Sequence, residues 1–414
     1  MSVTSSTLPG GVKVLSESIE SVKSITIGAW VKTGSRDELV HQSGITHFLE
    51  HMLFKGTEKR TAFDIAQSME SVGGYMNAFT SIEHTCYYIR CLDTDLERAM
   101  DVLSDMILHS TFPQEEIEKE KKVVLEEMKM YKDSPEDVIF EEFNARLFSN
   151  HPLGRPIIGF EQTVSSFSRL DLQGYINQHY QPDNILIAAA GNLNHDVLLK
   201  LADRYFSQTT QHQSSERFRE KIQEGDLSRF QDVITRPIEQ THMLVGKRGL
   251  PYEHEDRISL LLVNTLLSGG MSSRLHQNIR EKYGYCYSVS SFSQSYIDTG
   301  LFGVYIGTDK EYIGHVRELI QKEFDELRGH VVSEKEWVEV KAQLKGKLLL
   351  AQESMNNRMT RLAKSELNYG RFITLEELVE EIDEIGREDV RSFSEKFLDF
   401  SDYSELLLLP EKGA

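Results

Sequence analysis

Apolar residues recur at helical spacing between Gly44 and Gly56, where Ile45, Phe48, Leu49, Met52 and Leu53 form one stripe. His47, Glu50 and His51 fall on the opposite face, and Ser43 and Gly56 are the predicted opening and closing signals. Ahead of this helix, residues 12–19 and 22–33 alternate as two strands of one hairpin, with Ile25, Ile27, Ala29 and Val31 on a shared face. Behind it the pattern predicts a helix over 61–72, broken by Gly73 and Gly74, then strands over 75–80 and 84–91. Helices follow over about 95–109 and 114–132, with Pro113 suited to the first turn of the second. A helix after Pro135, a strand over 184–190 and a helix over 195–206 complete the first half. Strands in one sheet with helices grouped on one side make an α+β pattern rather than a βαβ alternation.

From 208 to 229 the sequence turns polar around a Gln-Thr-Thr-Gln-His-Gln-Ser-Ser run, which reads as a linker between domains at 1–207 and 230–414. Beyond it the same order returns. The apolar run from Ile258 echoes that from Ile45 at an offset of 213 residues, and the run from Val332 echoes that from Phe112 at 220. An internal duplication is implied, giving two homologous domains, each a mainly antiparallel sheet packed against helices. In the second copy His47, Glu50 and His51 become Leu260, Val263 and Asn264. The fold does not need the three polar residues, so their presence in the first copy asks for a functional reason.

Two imidazoles at i and i+4 stand one helical turn apart and can grip one zinc ion. Glu50, beside the second histidine, reaches the water such an ion activates. The order HxxEH reverses the more familiar HExxH. A zinc site that works on substrate needs a third protein ligand, and the helix over 114–132 is the best source. There Ile117, Val124, Met128 and Tyr131 define the expected buried stripe, with Glu127 and Glu120 on its edge and Glu126 turned to solvent. Glu127 can therefore face the histidines, with Glu120 close by to orient one of them. His84 is the rival ligand. In the second copy the two glutamate positions hold Val340 and Lys347.

Composition narrows the partners. The net charge of −19, from 46 basic and 65 acidic residues, argues against nucleic acid and anionic membrane. No basic start followed by an apolar run precedes Gly11 and no stretch is long enough to cross a bilayer, so a cytoplasmic chain is expected. Cys86, Cys91 and Cys286, an odd number without metal-knuckle spacing, suit reduced packing thiols.

Taken together, the HxxEH motif, its loss in the second copy and Glu127 within Val-Val-Leu-Glu-Glu-Met resemble the pitrilysin or insulinase family of zinc metallopeptidases. The branch most like it is that of the mitochondrial processing peptidases and their bacterial relatives. The resemblance extends over nearly the whole chain, through the runs 77–88, 269–275 and 280–287. It implies one zinc ion per chain on His47, His51 and Glu127, with Glu50 as general base and Glu120 in support. It further implies that Asn77, Ala78 and Phe79 lie on an edge strand that pairs with an extended peptide, and that Arg280 and Tyr287 approach the scissile bond. In that family two such units enclose a chamber, so a chain with one unit is expected to form a homodimer whose partners exchange Arg280 and Tyr287. A peptide endopeptidase is thus expected. The alternatives are a non-catalytic assembly subunit on the same scaffold and a catalytic subunit that needs a different partner chain.

Overall fold

The computed structural model describes residues 2–206, 219–223 and 229–411. Its first sheet holds β1 (Ser2–Thr7), β2 (Lys13–Ser18), β3 (Ser24–Val31), β4 (Tyr75–Thr80), β5 (Thr85–Leu92) and β6 (Ile185–Gly191), side by side as β1-β2-β6-β3-β5-β4. The β2–β6 pair is parallel and the rest are antiparallel. The expected hairpin of 12–19 with 22–33 is therefore not formed: β6 lies between its two strands. Every residue of β6 is buried, and a strand covered on both faces belongs in the middle of a sheet. Strand β1, polar in sequence, was not expected.

The helices of the first half are α1 (Ile45–Met52), α2 (Ala62–Glu70), α3 (Leu96–His109), α4 (Gln114–Asp133), α5 (Pro135–Leu147), α6 (Glu161–Ser166), α7 (Arg169–His179) and α8 (His195–Phe206). One face of the sheet, carrying Ile25, Ile27, Ala29 and Val31, shares a core with Phe48, Leu49 and Met52 of α1, Leu103 of α3 and Val124 of α4. Of the expected stripe on α4, Ile117, Val124 and Met128 are buried while Tyr131 is exposed. The helical stripe stops one turn early because the chain leaves this unit after Met130.

The second sheet repeats the pattern. It holds β7 (Gln231–Arg236), β8 (Thr241–Gly249), β9 (Cys286–Ser295), β10 (Gly300–Thr308) and β11 (Ser404–Pro410) in the order β7-β11-β8-β10-β9. Again one pair, β7 with β11, is parallel and the others are antiparallel. The accompanying helices are α9 (Arg257–Ser268), α10 (Ile313–Gly329), α11 (Glu334–Ala351), α12 (Met355–Tyr369), α13 (Leu375–Glu384) and α14 (Arg387–Phe397). The expected α+β class with two like domains is what the structure has.

The division of the chain is less simple than a cut at 208–229, most of which lies outside the described residues. One unit comprises 1–130, 155–220 and 351–372, and the other 131–154, 221–350 and 373–414. The two continuous domains expected from sequence thus trade one helix each. Helix α12, from the second half, covers the outer face of the first sheet: Met359, Leu362 and Ala363 pack on Leu15, Trp30, Cys86, Leu186 and Ala188. The Trp30 indole donates to Met359 Sδ at 3.1 Å, and truncating a buried side chain of that size costs about 3–5 kcal/mol. Arg358 reaches Glu17 at 2.6 Å with both side chains nearly buried, so loss of either partner would strand a charge. Helix α5, from the first half, does the same for the second sheet. Phe143 lies under Gly246, where a Cβ would meet its ring at 3.0 Å, and Phe140 packs 4.9 Å from Phe292.

Candidate metal centre

Helix α1 is only eight residues long. It ends at Met52 rather than Gly56, and Ser43 does not cap it; its start is Gly44 at φ 92°, a conformation that favours glycine. The buried stripe fixes the helix against the sheet and α7, which leaves His47, Glu50 and His51 half-buried on the other side, beneath α4. Glu127 comes down from α4 between the imidazoles. Its carboxylate oxygens lie 3.9 Å from His47 Nε2 and 3.6 Å from His51 Nε2. Three ligand atoms around a tetrahedral zinc at 2.0–2.1 Å sit about 3.3 Å apart, so this spacing is close to that of a cation cage. Among the described residues His47, His51 and Glu127 are the cluster of this kind, with ligand atoms within 4.8 Å of one another. The donor set, two imidazoles and a carboxylate, fits zinc.

Behind the cluster Glu120, 4% exposed, accepts from His51 Nδ1 at 2.8 Å, which turns His51 Nε2 towards Glu127. Its other oxygen takes Lys55 Nζ at 2.7 Å. Burial works to raise the Glu120 carboxyl, but the bonds from His51 and Lys55 win and hold it below the usual carboxylate range. His51 shows the converse balance: burial disfavours its charge, yet Glu120, Glu127 and Glu50 leave it easier to protonate than a free histidine. Burial and the neighbouring His51 push His47 down to about 4, so its ring is neutral and ready to donate an electron pair. Burial raises Glu50, only partly offset by a 2.6 Å bond from Thr80 Oγ1. A carboxylate raised in this way is a better proton acceptor.

Asn77, Ala78 and Phe79 fall on β4, the edge of the first sheet, and Thr80 ends the same strand next to Glu50. His84 is placed elsewhere. It is buried against Trp30 and Phe79, at 5.2 and 6.2 Å between ring centres, and takes no part in the cluster. Glu126 is paired with Lys129 in solvent, as expected. In the other unit Arg280, within a π-helical turn over His276–Glu281, stands 5.5 Å over the ring of the exposed Tyr287. The positions equivalent to the cluster carry different chemistry there: Leu260 and Val263 are core residues, and Lys347 donates to Gly269 O at the end of α9. A cation that closes a helix C-terminus replaces the acid that faces two imidazoles.

Sequence reasoning passed over Lys55, Thr80 and Glu38. Lys55 had a signal, since it stands four residues after His51 on the same face; Glu38 had none, because its partners are backbone groups.

With this geometry in place the comparisons decide the family. A model of the insulinase family, peptidase family M16, matches residues 13–161, and one of the M16 inactive domain matches 166–344. This chain belongs to peptidase family M16. Among M16 relatives, an uncharacterized zinc protease of Bacillus subtilis is 39% identical over 98% of this chain and 97% of its own length. Another, from Mycobacterium leprae, is 39% identical over 95% and 88%. The fold is that of a Helicobacter pylori protease, with a TM-score of 0.92 at 21% identity over 99% of this chain and 100% of that one. The M16 inactive-domain match includes α9 and most of α11, the helices on which the second copy has lost the HxxEH residues and Glu127. No helix among the described residues is long and apolar enough to cross a membrane.

Proposed function

We propose that this chain is a zinc-dependent endopeptidase that cleaves peptides or unfolded segments held as an extended strand. The observation that carries the reading is Glu127 lying between His47 and His51 with Glu50 alongside, a set that the duplicated helix pair discards without losing its fold. His47, His51 and Glu127 would hold one zinc ion per chain. Zinc so held supplies a Lewis acid that polarises a peptide carbonyl and lowers the pKa of water towards about 7. The chain's residues do the rest. Glu120, fixed by Lys55, keeps the proton of His51 on Nδ1; Glu50, fixed by Thr80, takes a proton from the attacking water and returns it to the leaving amine. The outer edge of β4 at Asn77, Ala78 and Phe79 pairs with the substrate backbone, which selects extended chains over folded ones.

The test is metal removal. Dialysis against a chelator is expected to abolish hydrolysis of unstructured peptides, and one equivalent of zinc per chain to restore it. Full activity of protein shown to be metal-free would end the proposal.

Arg280 and Tyr287 act on substrate within a closed chamber formed by a cytoplasmic homodimer, each chain serving its partner's site. A Glu50→Gln chain mixed with an Arg280→Ala chain should then recover part of the activity that each lacks alone. No recovery, with mixed dimers demonstrated by mass, would rule out sharing.

A further inference from the structure

Glu38 lies seven residues before Ile45, the first residue of α1, and is 3% exposed. One of its carboxylate oxygens accepts Gly44 N–H at 2.8 Å and the other accepts Thr46 N–H at 2.9 Å. The first N–H groups of a helix have no partners within it, and Gly44 offers no side chain to serve them. Glu38 does that work from outside. The same turn is held on its other sides: Tyr175 OH and Thr46 Oγ1 are 2.9 Å apart, and Thr163 Oγ1 donates to Ser43 O at 2.6 Å. Arg155 Nη2 donates to the backbone carbonyl of Glu38 itself at 2.7 Å. A Cβ on Gly159 would meet Ser43 O at 2.3 Å, so the backbone closes the remaining side.

Burying a carboxylate is unfavourable, and here it pushes Glu38 up to about 8 despite the two N–H bonds. A helix start is more cheaply served by an exposed threonine or serine at the cap, as Thr61 and Ser168 serve α2 and α7. What the buried acid adds is a fixed frame. An α-helix turns by about 100° per residue, so in a helix of eight residues a small rotation at the first turn is carried undamped to His47 and Glu50.

We propose that Glu38 is a positioning residue of the metal site, setting the rotation and height at which α1 presents His47 and Glu50. This rests on the reading of His47, His51 and Glu127 as a zinc site. Each oxygen receives one backbone N–H, whereas the amide of a glutamine would turn an NH2 donor against one of the two.

Glu38→Gln in the full chain is the test, measured well below its melting midpoint so that the protein is folded. Zinc affinity by competition with a chelator should fall by about tenfold, the lower end of what outer partners of ligands contribute, and the visible absorption of the cobalt-substituted protein should shift. Thr57→Val is the control: in the same unit it removes the Thr57 Oγ1 bonds to Asp105, at 2.7 Å, and to the N–H groups of Lys59 and Arg60, none of them a cluster residue, and should lower the melting midpoint while leaving zinc affinity and the cobalt spectrum as in wild type. A folded Glu38→Gln protein with unchanged zinc affinity and spectrum overturns the proposal, whatever its melting midpoint. Should Glu38→Gln not fold, Tyr175→Phe decides, because it removes only the bond to Thr46 Oγ1 from that turn. A several-fold loss of zinc affinity supports the frame, and none refutes it. Wild-type protein that binds no zinc would instead refute the zinc site beneath it.

Discussion

Glu50→Gln is expected to abolish peptide hydrolysis while leaving one zinc per chain. The substitution keeps the size of the side chain and its contact with Thr80 Oγ1, 2.6 Å away, but removes the capacity to take a proton. Positioned proton transfer contributes about 10²–10⁴-fold to catalysis, so kcat should fall at least that far. KM should change little, because substrate pairing is assigned to β4 and not to Glu50. Steady-state kinetics alongside metal analysis make the check; turnover within a few-fold of wild type would remove Glu50 from its role.

The second large effect belongs to Glu127→Gln. Replacing the carboxylate by an amide takes the negative charge from between two imidazoles, and His47 and His51 are left with no acid bridging them. Because partners outside the ligand set already contribute about 10–100-fold to metal affinity, loss of a ligand should exceed that and carry activity down with it. Its neighbour supplies the control. Glu126 faces solvent and pairs with Lys129, so Glu126→Gln should bind zinc and turn over as wild type does. Equal zinc content in the two variants, measured after dialysis, would detach Glu127 from the metal.

The clustering of His47, Glu50 and His51 on one face was legible because its logic is local. HxxEH declares itself through one helical turn, and the duplicated copy, with Leu260 and Val263 in the core, shows what those positions do when chemistry is absent. Glu127 needed a second element, yet its edge position on α4 follows from the same 3.6-residue period. What the sequence hid was long-range. Nothing in the alternation of 12–19 and 22–33 announces that β6, more than 150 residues later, separates the two strands, since alternation reports which face is buried and not which neighbour buries it. Glu38 was invisible for a related reason: a carboxylate that serves backbone N–H groups leaves no partner residue to find. Tyr131 was misjudged by extending a periodic stripe past the point where α4 leaves its core.

The traded helices bear on how such a chain can be divided or have arisen. A fragment ending before residue 351 loses more than its tail: Trp30, Leu186 and Ala188 of the half with the HxxEH motif are left with a bare apolar sheet face, an invitation to aggregate. The other half, begun after the polar run, lacks Phe140 and Phe143 in the same way. Each half thus supplies a wall that its sibling's core lacks, and the half without the HxxEH residues is a structural necessity for the half that has them.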